Sequence, residues 1–251
     1  MKLKIAKYLI FLLSLLALFA SGCAGKSELA KSAKKDDKKL LEKAEDLYAR
    51  KKYVKALAIL DKIRYTTSVV ADDAHLLTAK VYIGQHEYEL AASELKWLLG
   101  QYPNSDKLEE GAFLLGEAYR LAAPRAELDQ EYTKKALSAY NEFLDRYPTS
   151  AFVDSANAKI AFCRDKLAHK IYLSAELYYK LRQDSAAVIY IDDVRSEYGE
   201  TKWKFWADYL EALIDINLGK KDDAKKLLEE IIAQKPEEKL LKKAQKKLRK
   251  L

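Results

Sequence analysis

The sequence predicts an all-α protein made of about five consecutive helix pairs. Its 251 residues include only 8 glycines and 4 prolines, the two residue types that most often interrupt helices. An alanine recurs along the chain with large residues, nearly all apolar, four and seven positions after it, which is the spacing of one helix face. A residue that stops helices or favours turns follows twelve positions after each alanine, so each helix is expected to end there.

The recurring alanine marks the second helix of each pair. The aligned alanines are Ala56, Ala91, Ala136, Ala187 and Ala224. The residues four positions later are Leu60, Leu95, Tyr140, Ile191 and Leu228, and those seven positions later are Ile63, Leu98, Phe143, Val194 and Ile231. The helix-ending positions are Ser68, Pro103, Pro148, Gly199 and Pro236.

Another small residue marks the first helix of each pair. Twelve positions before the aligned alanines lie Ala44, Ala79, Ala175 and Ala212, and Gly116 takes this role in the third pair. Small residues are expected where helices cross closely, with large residues filling the space between them. Two helices in about 34 residues with this pattern resemble tetratricopeptide repeats. The resemblance implies that five repeats stack into a superhelix with a concave side.

Two repeats depart from this period. In the third, 20 residues rather than 12 separate Gly116 from Ala136, which predicts a loop over "LAAPRAELDQ", around Pro124. In the fourth, no glycine or proline interrupts residues 149–198, which predicts one unusually long helix over Ala151–Arg182.

The C-terminal segment "EEKLLKKAQKKLRKL" predicts a capping helix. Its apolar stripe consists of Leu240, Ala244, Leu248 and Leu251. Lysines surround this stripe, and they either form a solvated face or contact anionic lipid or an acidic partner.

The N-terminus has the pattern of a secretion signal: lysines, a short apolar run and small residues. The apolar run Tyr8–Phe19 is shorter than the roughly 20 residues that cross a bilayer, so a permanent span is the weaker interpretation. The stretch "ASGC" at 20–23 resembles the bacterial lipobox, which implies that signal peptide 1–22 is removed and Cys23 carries a covalent lipid. Plain cleavage with Cys23 as a bystander is the alternative. Residues 23–39 are then a lipidated cysteine and flexible tether.

Neither nucleic-acid binding nor catalysis is predicted. The net charge of +7 comes from the two ends of the chain, because residues 40–238 carry 35 acidic against 29 basic residues. The sequence has no glycine-rich phosphate loop, and its three histidines lie far apart. Adjacent carboxylates point about 100° apart on a helix and do not share a site. We therefore expect no catalytic residue, no metal and no cofactor beyond the lipid, and a buried structural role for Cys163.

Most of the chain after residue 23 resembles the BamD family of outer-membrane β-barrel assembly lipoproteins. The matching stretches are "ALSAYNEFLDRYPTS", "RDKLAHKIYLSAELYYKL" and "AAVIYIDDVRSEYGET", together with the pair Asp129-Gln130 at the end of the third-repeat loop. The resemblance implies a non-catalytic lipoprotein on the periplasmic face of the outer membrane, which binds unfolded β-barrel clients. A periplasmic repeat lipoprotein that coordinates the cell wall or outer-membrane constriction is the alternative.

The resemblance also divides the chain by function. It implies that repeats 1–3, residues 40–150, receive the C-terminal signal of a client. Repeats 4–5 and the capping helix, residues 151–251, are then expected to hold the barrel-forming subunit through its periplasmic domains. The family often has a basic residue for this partner near the middle of the second helix of the fourth repeat, and here Tyr190 takes that position.

The repeat pattern itself suggests which residues line a concave peptide groove. The expected positions lie about three before, one after and four after the small residue of each first helix. They are Leu41, Glu45, Tyr48, Leu76, Lys80, Ile83, Phe113, Glu117 and Arg120. Alternating apolar groups and charges suit an extended peptide, and Lys80 and Arg120 are candidates to bind its terminal carboxylate. For Leu41, Leu76 and Phe113, packing between repeats is the alternative.

Overall fold

A computed structural model describes the backbone of residues 22–251 and the side chains of residues 36–251. The predicted signal peptide lies almost entirely outside the described residues, and so does the side chain of the predicted lipid carrier Cys23. The described part of the chain is helical throughout, with no strand, which confirms the all-α prediction.

The chain forms two compact units, the first ending at Leu108 and the second running from Glu109 to Leu251. The first unit contains α1 (Gly22–Ala49), α2 (Tyr53–Leu60), α3 (Ala71–Gly84) and α4 (Tyr88–Gln101). The second contains α5 (Leu108–Ala122), α6 (Glu131–Arg146), α7 (Val153–Lys180), α8 (Asp184–Tyr198), α9 (Trp203–Asn217), α10 (Lys221–Ala233) and α11 (Glu238–Leu248). The units divide at residue 108, whereas the functional division predicted at residue 150 stays a prediction.

The residues of the alanine pattern lie in the cores of both units. The five aligned alanines are all completely buried, and so are the residues four positions after them. The residues seven positions after them are at most 2 % exposed. The small residues of the first helices are equally buried, so each helix pair closes along the faces that the spacing predicts.

Two glycines allow aromatic rings to approach a helix backbone closely. A Cβ atom added to Gly116 would lie 2.7 Å from the Tyr140 ring, and one added to Gly84 would lie 2.6 Å from the ring of Tyr53. Both distances are shorter than real Cβ contacts. Glycine is therefore required at both positions by packing rather than by backbone conformation.

The turn inside most helix pairs uses a left-handed residue after the first helix. In the first, second and fourth pairs these residues are Lys51, His86 and Arg182, with φ between 56° and 65°, and in the fifth it is Gly219. The following N–H bonds back to the last turn of the helix, for example from Glu87 to the Tyr82 carbonyl at 2.9 Å. This is the hydrogen bond that closes many helix C-termini, where glycine is the usual residue.

The third-repeat loop lies between α5 and α6, as predicted, and Gln130 holds it together. This side chain is 5 % exposed, and its amide donates to the carbonyls of Arg125 (2.7 Å) and Leu128 (3.0 Å). Its oxygen accepts a hydrogen bond from Thr133 at 2.7 Å. The carboxylate of Asp129 accepts the N–H of Glu131 at 2.8 Å, which satisfies a free donor at the start of α6.

The long helix and the capping helix are both confirmed. Helix α7 runs without interruption over 28 residues. In α11, Leu240 and Ala244 are completely buried, and Leu248 and Leu251 pack partly against the same core. Cys163 in α7 is also completely buried, and burial raises the pKa of its thiol to about 11, so it is a structural residue as predicted.

Two local predictions differ from the structure. The predicted flexible tether, residues 23–39, belongs to the continuous helix α1, whose alanines, lysines and glutamates favour helix and which contains no proline. Helix α2 ends at Leu60, eight residues before Ser68, and the chain continues to Thr67 in turns. An aromatic and two β-branched residues at 65–67 disfavour helix there, although Ile63 remains completely buried.

The close approach at Gly116 predicts a strong effect of one methyl group. Gly116→Ala forces the buried Tyr140 ring or the helix backbone to move, and we expect the free energy of unfolding to fall by about 1–3 kcal/mol. The matched control is Gly100→Ala, also in a helix, where a Cβ meets nothing within 4 Å and is expected to be neutral or slightly stabilising. Urea denaturation of both variants distinguishes them, and equal stability would contradict the packing described here.

Candidate functional site

Two predicted groove residues of the first unit lie in its core. Leu41 is 8 % exposed and Leu76 is 4 % exposed, so neither offers its side chain to a peptide. The cause is helix geometry: residues three apart share a helix face, and each leucine lies three positions before a completely buried alanine. Their assignment to the groove is wrong, and the packing alternative is correct.

The other predicted residues of the first unit keep accessible surface. Glu45 is exposed on α1, Tyr48 is half-buried on the same helix, and Lys80 and Ile83 are half-buried on α3. Helices α1 and α3 contact each other directly, so this surface combines apolar and charged groups on two neighbouring helices. On this surface the Tyr48 ring contacts the ring of Tyr53 in a tilted arrangement, with centroids 6.0 Å apart.

In the second unit, Phe113 is a half-buried side chain that packs against the core of the third repeat. Its ring stacks on Phe152, with centroids 4.7 Å apart and planes 14° from parallel. It also contacts Phe143 and Tyr140. Phe113 also lies three positions before the small residue of its helix, but it keeps some accessible surface, so its place in the groove stays a prediction.

Glu117, Arg120 and Tyr140 form a hydrogen-bonded cluster in the second unit. The Arg120 guanidinium donates two hydrogen bonds to the Glu117 carboxylate, one of them from Nε at 2.9 Å. The Tyr140 hydroxyl donates to the same carboxylate at 2.7 Å. The side chains of Glu117 and Arg120 are each 19 % exposed, so the pair is mostly buried but still reaches solvent.

The cluster stabilises both charges. Burial raises the pKa of Glu117, but the hydrogen bonds from Arg120 and Tyr140 outweigh it, and the pKa of this carboxyl lies below its usual value. The hydrogen bond to Glu117 raises the pKa of Arg120 further. Burial, together with the same carboxylate, raises the pKa of the Tyr140 hydroxyl. The cluster is therefore an ion pair with a neutral phenol at any physiological pH.

Arg120 also faces an exposed aromatic ring that the repeat pattern does not predict. Its guanidinium carbon lies 5.7 Å from the centroid of Phe162, a residue of α7 that is 50 % exposed. A guanidinium beside an exposed ring suits both the carboxylate and the apolar side chains of a peptide. The first-helix pattern does not predict Phe162, because this residue lies on the long helix α7.

Tyr190, the predicted partner-binding residue, stacks on Tyr178. The ring centroids are 5.2 Å apart and the planes differ by 10°. A hydrogen bond between the two hydroxyl groups raises the pKa of Tyr190. Leu177, Leu181 and Ile189, all more than half exposed, lie near this pair in sequence around the α7–α8 turn. We call these three residues and Tyr190 the hairpin surface.

A model of the YfiO family, described as outer membrane lipoproteins, matches residues 33–226. This span includes the first four repeats and reaches into the second helix of the fifth. The chain belongs to the YfiO family. As a member of this non-catalytic family it is not an enzyme, and the family description associates it with the outer membrane.

Several relatives of this YfiO family member have functional names. A protein of Rickettsia prowazekii, named outer membrane protein assembly factor BamD, is 24 % identical over 89 % of this chain and 89 % of its own length. A protein of Caulobacter vibrioides with the same name is 26 % identical over 45 % of this chain and 37 % of its own length. A solved kinesin light chain structure with tetratricopeptide-like repeats is 11 % identical, covers 78 % of this chain and 92 % of its own, and has a TM-score of 0.42.

The described residues contain neither a metal-binding group nor a membrane-spanning helix. No group of three or more His, Cys, Asp or Glu side chains in that part of the chain is arranged to hold a metal ion. Across residues 22–251, none of the helices combines the length and the apolar character needed to cross a membrane.

The cluster around Glu117 predicts a pH-dependent contribution to stability. Glu117→Gln removes the charged acceptor of Arg120 and Tyr140, and we expect it to cost about 1–3 kcal/mol at neutral pH. Because the folded-state pKa lies below the unfolded value of about 4.3, the stabilisation is complete above that value. It is lost as the pH falls through the folded-state pKa, so the gap between wild type and variant closes in acid.

Urea denaturation at neutral pH and near pH 3 measures this gap. Glu142→Gln, an exposed glutamate on α6, is the matched control and is expected to change stability little at either pH. A gap that is absent at neutral pH, or that widens in acid, would contradict the role of this carboxylate.

Proposed function

We propose that this chain is a non-catalytic assembly factor for outer membrane β-barrel proteins, anchored by a lipid on Cys23 at the periplasmic face. The observation that carries the proposal is the family match, which spans the first four repeats completely and reaches into the fifth. The name of the Rickettsia relative, which aligns over most of its length, supports the same function. The alternative, coordination of the cell wall or of constriction, gains no support from these comparisons.

Client peptides bind to the surface of the first three repeats in this proposal. In the first unit, Tyr48 and Ile83 supply apolar contacts and Lys80 supplies a cation on an adjacent helix. In the second unit, Arg120 and the exposed ring of Phe162 supply the same combination. The core positions Leu41 and Leu76 take no part beyond holding these helices in place.

In this proposal, Arg120 binds the carboxylate of the client while its guanidinium stays paired with Glu117. The guanidinium has five N–H donors. Two of them donate to the two oxygens of the Glu117 carboxylate. Glu117 holds the plane of the group in one orientation, so little side-chain entropy is lost when a second carboxylate binds. The terminal carboxylate of an unfolded barrel strand is the group that this arrangement suits.

The barrel-forming subunit docks on the hairpin surface in this proposal. This surface has three exposed apolar side chains and a stacked tyrosine pair, and tyrosine is among the residues enriched at binding hot spots. Tyr190 replaces the basic residue that the family resemblance implies, so the contact here is apolar and aromatic rather than ionic.

Charge variants test the client site. We expect Lys80→Glu combined with Arg120→Gln to weaken binding of a C-terminal peptide from a β-barrel protein at least tenfold, measured by fluorescence polarisation. An amidated peptide should bind weakly and be insensitive to both changes. Lys62→Glu, an exposed lysine of the first unit, is the control. Unchanged affinity in a folded double variant would contradict the assignment.

Variants of the hairpin surface test the partner site. Leu181→Glu combined with Ile189→Glu places charges on two exposed apolar positions, so the fold should persist while the barrel-forming subunit is lost from a pull-down. Val69→Glu, which changes a similarly exposed residue of the first unit, should retain it. Full retention by the hairpin variant would place the contact elsewhere.

A further inference from the structure

A cavity with aromatic walls lies between α7, α9 and α11, and no residue of the hairpin surface lines it. Its volume is about 280 Å³, and its walls include Tyr172, Trp203 and Trp206. The ring centroid of Tyr172 lies 5.2 Å from that of Trp203 and 6.2 Å from that of Trp206. His169 stacks on Trp203 at 3.8 Å with nearly parallel planes. The two tryptophans come from the short stretch "KWKFW", which the repeat pattern does not explain.

Three lysines surround these rings. The ammonium of Lys202 lies 5.3 Å from the Trp203 ring, and those of Lys243 and Lys239 lie 5.0 Å and 5.8 Å from the Trp206 ring. Burial lowers the pKa of His169, so its imidazole adds no charge at neutral pH. The cavity is therefore an aromatic site with cations at its rim.

The acidic residues of the cavity offset these cations only in part. Glu176 and Glu237 are its two carboxylates, against three lysines. Glu237 accepts a hydrogen bond from the Trp206 indole N–H at 3.0 Å, so it is held in a structural contact. A net positive rim remains, which favours an anionic ligand.

Trp203 contributes a hydrogen-bond donor that lacks an acceptor. Its indole Nε1–H is buried and bonds to no group within the described part of the chain. An unsatisfied buried donor is costly, so the wall of the cavity is incompletely satisfied at this indole.

The packing of α11 favours a protein segment over a membrane as the ligand. Its apolar residues Leu240 and Ala244 are completely buried in the second unit, so this helix has no free apolar face to insert among lipids. Residues 239–251 carry seven basic residues and no acidic ones, which extends the positive rim along the helix. A cavity of this volume holds one or two side chains rather than a free cofactor.

We propose that the cavity between Trp203 and Trp206 is a docking site for an acidic segment of a partner protein. An aromatic side chain of the segment enters the cavity, and flanking carboxylates pair with Lys239 and Lys243. The proposal does not rest on the function proposed above, because it concerns different residues and a ligand of different chemistry.

Calorimetry with a defined peptide tests the proposal. The probe is acetyl-Gly-Asp-Phe-Glu-Asp-Gly-amide, titrated at physiological salt into the chain from residue 23 with Cys23→Ser. We expect one peptide to bind per chain, and we expect Lys239→Gln combined with Lys243→Gln to weaken binding at least tenfold. The matched control, Lys246→Gln with Lys250→Gln, removes the same charge from the same C-terminal segment outside the cavity and should change the affinity less than threefold.

Three results would overturn the proposal. The first is equal weakening by both lysine pairs, which would mean attraction to charge alone. The second is binding of a peptide with Phe replaced by Ala as tightly as the original, or no binding of either. The third is displacement of the peptide by vesicles with anionic lipid but not by neutral vesicles, which would make the site a membrane contact. A loss of client-peptide or pull-down binding with this site intact would leave the present proposal standing.

Discussion

The close crossing of paired helices at a small residue is the constraint on which the rest of this structure depends. Each second helix has an alanine with no exposed surface, and each first helix meets it with another alanine or with Gly116. At Gly116 the approach is so close that a single methyl group would meet the Tyr140 ring. The large residues four and seven positions after each alanine fill the space beside these small residues and are at most 2 % exposed. A bulkier residue at any of these positions would separate two helices and open that space.

This constraint also determines which surfaces are available for binding. Side chains on the crossing face pack in the core, including the residues three positions before the small residue in the first, second and fourth repeats, which are Leu41, Leu76 and Tyr172. What remains for partners is the rest of the first helices, the long helix α7 and the turns between helices. Accordingly, the charged and aromatic groups that suit ligands, such as Arg120 with Phe162 and the lysines around Trp206, are contributed by more than one element. Such a scaffold suits recognition of extended or exposed segments of other proteins, consistent with its membership of a non-catalytic family.

The periodic part of the fold was predictable from the sequence, and the non-periodic part was not. The alanine spacing identifies the second helices, the extended third-repeat loop and the long α7, because helical period and breaker residues are local properties. The left-handed turn at His86 has no such signal, since glycine is the usual residue there. Residues 23–39 follow the lipobox, a position that predicts a flexible tether, but their helix-forming composition favours the helix α1 that the structure shows.

Half of the candidate client site could be predicted for the same reason. Residues one and four positions after the small residue are indeed accessible, since they lie away from the crossing face. The pairing of Arg120 with Glu117 follows from a spacing of three, but its contact with Tyr140 and Phe162 depends on neighbouring helices that no local pattern specifies.

In the proposed function, the first helices of the repeats, rather than the second helices, receive the client. Hydrogen–deuterium exchange of the full chain with and without a β-barrel C-terminal peptide tests it most directly. The account predicts slower exchange in α3 around Lys80 and in α5 around Arg120, with no change in α10. Protection confined to the second helices or to α10, or no protection at a saturating peptide concentration, would contradict it.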